Sequence, residues 1–246
     1  MAATRSKKTT KLGAGPYTLA IDIGGTGLKA LVLDGRGKPV NERVRLETPR
    51  PATPAAVMRV LRTLVAKQPK YDRVSVGFPG VVFDGVIHTA PNLDGNWSGF
   101  ELEVAIEKIA KKPARVANDA SIQGWGVIEG KGVELVLTLG TGVGSGLYVN
   151  GVLVPNLELG HHPFRKGKSY EDFLDNATLA KIGKKKWRKR VAMAVAQLEP
   201  IFNYRVLYLG GGNARELKAS ELPKNVKLVD NSAGLLGGIR LWMGHT

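Results

Sequence analysis

The chain opens with short apolar runs of strand-like composition. Residues 17–23, 28–33 and 40–46 are rich in Val, Ile and Leu, and Gly or Asp-Gly signals separate them, so the pattern predicts a meander of strands. The period changes at Thr53-Pro54. From there Ala56, Val57, Val60, Leu61, Leu64 and Val65 recur at helical spacing, with Thr53 suited to the N-cap and Pro54 to the first helical position. Arg73–Phe78 reads as a buried strand closed by Pro79-Gly80. Residues 100–110 read as an amphipathic helix, 114–117 as a short strand, and 120–129 as helical despite Gly124 and Gly126.

A second round begins at Val133. Residues 134–139 and 146–149 have strand patterns, and Asn150-Gly151 predicts a tight hairpin into Val152–Val154. Helical patterns follow at 170–182 and 186–202. A strand at 206–209 ends in Gly210-Gly211-Gly212, another covers 226–229, and Ser232 is placed to cap a closing helix over 233–242. Both halves thus start with strands around a Gly turn and then alternate helices and strands. The expectation is a duplicated α/β arrangement of two lobes around a cleft. Its divisions are a basic arm at 1–15, an N-terminal lobe at 16–119, a C-terminal lobe at 120–232, and a closing helix at 233–246 that packs back on the first lobe.

Composition narrows the classes. The chain has 246 residues and no Cys, which removes disulfides, thiolate metal sites and thiol catalysis. The basic arm is followed by no apolar h-region, and no later stretch approaches membrane-spanning length, so a cytoplasmic protein without membrane partners is expected. The net charge of +15 points to a polyanionic partner or to a basic solvated surface. The positives concentrate at Arg165-Lys166-Gly167-Lys168 and at Lys184, Lys185, Lys186, Arg188, Lys189 and Arg190, which favours a local binding patch.

Candidate chemistry lies at the turns. Asp22-Ile23-Gly24-Gly25-Thr26-Gly27 follows an apolar strand, where Gly24 and Gly25 can turn backbone N–H groups towards an anion and Thr26 adds a hydroxyl. Asp22 could steer phosphate through Mg²⁺ by way of a bound water. A plain hairpin turn fits the same residues. Leu139-Gly140-Thr141-Gly142-Val143-Gly144 repeats the device in the second half, and the pair could cradle a phosphate chain. Neither loop has the pattern of a P-loop or a dinucleotide fingerprint. Asp119, in Asn118-Asp119, suits a general base or an ordinary helix N-cap. Glu158 and His161 could grip vicinal sugar hydroxyls, or could belong to a surface loop.

In this order, Asp22–Gly27 with Lys29, Phe78-Pro79-Gly80, Ala90-Pro91-Asn92-Leu93 with Trp97, Asn118-Asp119-Ala120, Leu137–Gly144, Glu158-Leu159-Gly160-His161 and Leu209–Gly212 resemble the ROK-family sugar kinases. The resemblance covers residues 17–242. Within that family it is nearest to the polyphosphate glucokinase branch, through Leu153-Val154-Pro155-Asn156, Thr48-Pro49 with Pro51-Ala52-Thr53-Pro54, and Asn231-Ser232-Ala233-Gly234. It implies an actin-like ATPase (ribonuclease H-like) fold and transfer of a phosphoryl group from polyphosphate, ATP or both to the 6-hydroxyl of glucose, with mannose as a further acceptor. It also implies Mg²⁺ as cofactor and a homodimer.

Carried onto matching positions, Asp119 becomes the base, and Asn92, Asn118, Glu158 and His161 contact the sugar. Asp22, Gly24, Gly25, Thr26, Lys29, Gly140, Thr141 and Gly142 face donor phosphate, and Gly211 and Gly212 lie where adenosine docks in ATP-using relatives. Lys184, Lys185, Lys186, Arg188 and Lys189 become a track for a long phosphate chain. Relatives also include repressors, but strands beginning near residue 17 leave no room for an N-terminal helix-turn-helix, so no nucleic-acid partner is expected. A non-catalytic sugar- or polyphosphate-binding regulator is the competing reading. Two departures stand out. The zinc site of many relatives cannot form without Cys, and Pro163 stands where relatives carry a Glu two residues after the His. Loss of that carboxylate costs about 1–3 kcal/mol of sugar binding unless another group replaces it.

Overall fold

The computed structural model describes residues 15–155, 157–230 and 233–243. The basic arm before Gly15, Asn156 of the 153–156 run, and Asn231 with the expected cap Ser232 lie outside the described residues.

The first half contains β1 (Thr18–Ile23), β2 (Gly27–Leu33), β3 (Val44–Glu47), α1 (Pro54–Ala66) and β4 (Arg73–Phe78). A small sheet of β5 (Val82–Phe83), β6 (Val86–Ile87) and β7 (Phe100–Glu101) follows, then α2 (Leu102–Ala110), β8 (Ala114–Asn118) and α3 (Asp119–Trp125). The second half contains β9 (Val133–Leu139), β10 (Val143–Val149), β11 (Val152–Val154), a 3-10 turn at Leu159–His161, and the ribbon β12 (Pro163–Arg165) and β13 (Lys168–Ser169). Helices α4 (Tyr170–Leu174), α5 (Asn176–Ile182) and α6 (Lys184–Phe202) precede β14 (Val206–Gly210) and β15 (Val226–Leu228), and α7 (Ala233–Leu236) leads into a 3-10 segment, Gly237–Trp242.

The strand orders β3-β2-β1-β4-β8 and β11-β10-β9-β14-β15 repeat one topology: two antiparallel pairs, then two parallel ones. This is the duplicated topology that an actin-like ATPase fold implies. Central strands of such mixed sheets are covered on both faces and so read as continuous apolar runs. In β1, Leu19, Ile21 and Ile23 pack with Val57, Leu61 and Leu64 of α1 and Ile106 of α2, while Ala20 joins Leu235 of the C-terminal segment. In β9, Leu135, Leu137 and Leu139 pack with Trp187, Val191 and Leu198 of α6, while Val136 faces Ile122 and Trp125 of α3.

Helix α3 therefore lies between the two halves. Gly124 in its middle is required there, because a Cβ would come within 2.1 Å of the Tyr148 hydroxyl. That hydroxyl donates to the Ser121 carbonyl at 2.5 Å. The C-terminal segment returns to the first sheet. Ser75 Oγ donates to the Gly238 carbonyl at 2.6 Å, Trp242 Nε1 donates to Ser75 Oγ at 2.9 Å, and the Trp242 ring lies against the guanidinium groups of Arg73 and Arg115.

Several elements depart from expectation, among them the 146–149 strand, which begins at Val143, and the 120–129 helix, which ends at Trp125. Strand β3 begins only at Val44, because the Asn41 side chain takes the Val32 N–H (2.7 Å) that a strand partner would otherwise bond. Phe100 and Glu101 pair with Ile87 and Val86 instead of starting α2. The 170–182 pattern is two helices broken at Asp175, which is extended and caps α5 through Thr178 N at 2.8 Å. Lastly, the closing helix keeps α geometry only over Ala233–Leu236 before tightening to 3-10.

Candidate active site

The two glycine turns occupy equivalent hairpins, between β1 and β2 and between β9 and β10, and face each other across a cleft of about 530 Å³. That volume suits a small ligand. The turns are shorter than the motifs around them, because Val143 and Gly144 already belong to β10.

On the first side, Gly24 N donates to the Gly27 carbonyl at 3.1 Å and closes the hairpin. Asp22 and Lys29 are cross-strand partners, and Lys29 Nζ donates to Asp22 Oδ2 at 2.8 Å. On the second side, Gly140 N donates to Gly142 O at 3.0 Å, and the Gly140 carbonyl accepts from Asn176 N (2.8 Å) and Asn213 Nδ2 (3.3 Å). The break at Asp175 thus has a local purpose, since it presents the first residue of α5 to the loop. Val143 N donates to Glu171 Oε2 at 2.9 Å, which holds the start of β10 to α4.

Helix α3 begins between these hairpins, at the end of β8. The cap is not Asp119. Asn118 Oδ1 accepts from Ser121 N at 3.1 Å, and Asn118 Nδ2 donates to the Gly80 carbonyl at 3.2 Å. Capping by Asn118 frees the Asp119 carboxylate to face the cleft, where the Ala120 amide bonds it at 2.8 Å and its own backbone amide also lies against it. Burial first, then the nearby charges of Asp22 and Glu158, push the Asp119 carboxyl up to about 7, against the lowering effect of those amides. Such a group changes protonation in the physiological range and suits proton abstraction.

Glu158 and His161 flank the 3-10 turn, with His161 Nε2 at 3.8 Å from Glu158 Oε2. Burial raises the Glu158 carboxyl; His161 opposes this and the Glu171 charge adds to it. Ser145 Oγ fixes the turn by accepting from Leu159 N at 3.1 Å and donating to the Leu157 carbonyl. Gly160 is needed for proximity: a Cβ there would sit 2.2 Å from the Val143 carbonyl oxygen.

Every expected phosphate and sugar residue lines this one cleft: Asp22, Gly24, Gly25, Thr26 and Lys29 on one wall; Gly140, Thr141, Gly142, Gly211 and Gly212 on the other; and Asn92, Asn118, Asp119, Glu158 and His161 at its base and rim. The basic cluster is not among the lining residues. Lys184 pairs with Glu216 at 2.6 Å, Arg188 pairs with Glu221 at 3.1 Å, and the Arg190 guanidinium lies over the Phe173 ring. The lining also includes residues that no motif announced: Arg50, Gln123, Glu171, Asn176 and Asn213. Contacts distant in sequence bring four of them there: Arg50 reaches the Gly25 carbonyl, Glu171 accepts from Val143 N, and Asn176 and Asn213 donate to the Gly140 carbonyl. Among the described residues no group of three or more His, Asp or Glu is arranged to hold a metal, and no helix is long and apolar enough to cross a membrane.

Comparison with known proteins agrees with this geometry. The ROK family profile matches residues 18–186. The chain is 32% identical over 237 residues to a polyphosphate glucokinase of Mycobacterium tuberculosis, covering 90% of this chain and 89% of that one. Among solved structures, it resembles the inorganic polyphosphate/ATP-glucomannokinase of Arthrobacter sp. strain KM, with a TM-score of 0.83 and 31% identity over 92% of this chain and 98% of the other. A ROK family glucokinase from Streptomyces griseus, solved with glucose and AMPPNP, aligns with a TM-score of 0.74 at 21% identity over 93% and 100% of the chains, a likeness of fold alone. With the profile covering most of both halves and the same duplicated topology in solved relatives, the chain belongs to the ROK family.

Proposed function

We infer that this chain is a hexokinase that moves a phosphoryl group from inorganic polyphosphate and/or ATP to the 6-hydroxyl of glucose. The observation that carries the reading is Asp119: a carboxyl tuned to about 7, freed from capping, at the floor of a cleft whose walls are two glycine hairpins. Polyphosphate glucokinase as a relative over most of the chain supports the donor and the acceptor. A non-catalytic regulator has no need of a carboxylate tuned in this way, so that reading is the weaker one.

In the reaction, the sugar 6-oxygen attacks the terminal phosphorus of the donor. A new O–P bond forms as the bridging P–O bond breaks, and Asp119 takes the hydroxyl proton. Hairpin amides and the Lys29 ammonium face the charge carried by the transferred group. Asn92, Asn118, Glu158 and His161 orient the hexose, and Glu171, which lines the same cleft, supplies the carboxylate that Pro163 cannot. Gly211 and Gly212 receive adenosine when ATP is the donor. Asp22 and Asp119 present hard oxygen donors beside the first hairpin, which fits Mg²⁺ held by Asp22 through water and by the donor phosphates. When bound, Mg²⁺ neutralises phosphate charge. Closure of lobe 16–119 on lobe 120–232 excludes water that would otherwise hydrolyse the donor. A cytoplasmic homodimer completes the proposal; the exposed Val149, Val152 and Val154 of the edge hairpin offer an apolar strip for a second copy.

A coupled assay that crosses polyphosphate and ATP with glucose, mannose and glucosamine tests this. Turnover of glucose with at least one donor is expected, and no turnover with any pair would remove the reading.

The cationic start of α6 forms a secondary donor surface. Lys184 ties it to Glu216, in the 3-10 turn Gly212–Glu216 whose first residues line the cleft, and Lys185, Lys186 and Lys189 remain exposed. Charge reversal at these three lysines is expected to raise the KM for polyphosphate by about tenfold at low salt and to flatten its salt dependence. The KM for ATP should stay unchanged. Identical polyphosphate kinetics in the triple variant would remove the surface from the account.

A further inference from the structure

The first hairpin has its carbonyls tied back by one neighbouring segment. Thr48 Oγ1 donates to the Gly24 carbonyl at 2.5 Å, Arg50 Nη2 to the Gly25 carbonyl at 2.8 Å, and Arg45 Nη2 to the Thr26 carbonyl at 2.9 Å. The Gly27 carbonyl is taken by Gly24 N. All four carbonyls of the turn therefore have donors, three of them side chains from residues 45–50. In contrast, no acceptor within the described residues takes the N–H of Gly25 or Thr26. A turn whose carbonyls are occupied and whose amides are not is preset for an anion.

We propose that Arg45, Thr48 and Arg50 form a carbonyl clamp that holds this hairpin in its phosphate-binding shape, and that Arg50 is also a ligand for the donor phosphates. Arg50 lines the cleft, and its side chain is 63% exposed. One bond to Gly25 and a loose 3.5 Å contact with Asp94 Oδ2 leave guanidinium N–H groups free for a phosphate oxygen. Arg45 stands directly across from Lys29 in the β2–β3 register, so three cations gather around one hairpin with Asp22 and Asp94 as the acidic neighbours. Thr48 is buried and acts only through the Gly24 carbonyl, so it is a positioning residue. The phosphate donor itself rests on the kinase reading above.

Two measurements keep the two claims apart. Wild-type turnover tests the kinase reading, and calorimetric binding of inorganic tripolyphosphate in the full chain tests the clamp. Arg50→Gln is expected to weaken tripolyphosphate binding about 10- to 100-fold and to lower its salt slope by roughly one contact, with the KM for glucose within about twofold of wild type. Thr48→Val is expected to weaken the same binding about tenfold with the salt slope unchanged, because it alters amide orientation and leaves the charge as it was. Arg50→Lys should restore the salt slope but not the full affinity, since one ammonium cannot hold the carbonyl and a phosphate in the same fork geometry. Wild-type tripolyphosphate affinity in Arg50→Gln, or an equal rise in the KM for glucose, would overturn the clamp even in an active kinase. Arg50-dependent tripolyphosphate binding in a chain without turnover would uphold the clamp and remove the kinase reading.

Discussion

Asp119→Asn is expected to lower hexose phosphorylation by about 10³-fold while making the protein harder to unfold at neutral pH. The two effects share one cause. Burial and the charges of Asp22 and Glu158 raise the folded-state carboxyl to about 7, so its ionised form is held at a cost in the native protein. An unfolded Asp ionises near 3.9, so between about pH 4 and 7 the native state binds the extra proton and stability falls as pH rises. Asn has no proton to lose. The variant should therefore melt several degrees above wild type at pH 8, with the difference shrinking as pH falls from 7 to about 4 and absent below. In wild type, the rate per unit of sugar should climb through about pH 7 and then level off, as the base is freed. Calorimetric melting over pH 4–8, set beside the pH–rate curve, reads both. An unchanged melting temperature at pH 8 would mean that the carboxylate is not strained, and retained activity would mean that it is not the base.

The second large effect is expected at Gly160. Its backbone lies so close to Val143 that an added methyl would meet the carbonyl oxygen at 2.2 Å, and a carbonyl in a sheet cannot move aside as a flexible side chain can. Gly160→Ala must push the Leu159–His161 turn away from β10. That movement carries Glu158 and His161 out of register with Asp119, whose Cα is fixed by α3. Since misplacement by about 1 Å can cost around 10²-fold, turnover should fall by at least that factor. The KM for glucose should rise, and the KM for the donor should change far less. Far-UV circular dichroism should stay close to wild type. Equal rises in both KM values would mean that the turn does not orient the sugar.

These two residues also mark what the amino-acid pattern could and could not reveal. The duplication was legible because each half repeats strand, Gly turn and strand, and Arg73–Phe78 and the start of α1 at Thr53-Pro54 follow local rules that tertiary packing leaves intact. The clustering of Asp22, Asp119 and Glu158 in one cleft followed from where each sits, at a strand end or just beyond one. Nothing in the local pattern, by contrast, shows that Gly160 is held by its close approach to β10, a contact made only after folding. The split at Asp175 was hidden because Tyr170–Leu174 and Asn176–Ile182 share one apolar period, and only the bond from Asn176 N to Gly140 reveals why the chain breaks there. Arg50 was invisible for a similar reason: in a Pro-rich run it reads as a solvated charge, and its carbonyl partner lies 25 positions away. The basic run at 184–190 was legible as a dense charge cluster, but its partners were not: Lys184 and Arg188 pair with Glu216 and Glu221 outside the cleft, which leaves Lys185, Lys186 and Lys189 to the proposed donor surface.

The central claim is transfer of phosphorus to a sugar oxygen in this cleft. It is tested most directly by ³¹P NMR of glucose and polyphosphate incubated with Mg²⁺ and the wild-type chain, beside the same mixture with Asp119→Asn. The account predicts a growing hexose 6-phosphate resonance with the wild type and none on the same timescale with the variant. Release of inorganic phosphate alone, or equal hexose phosphate from both proteins, would contradict it.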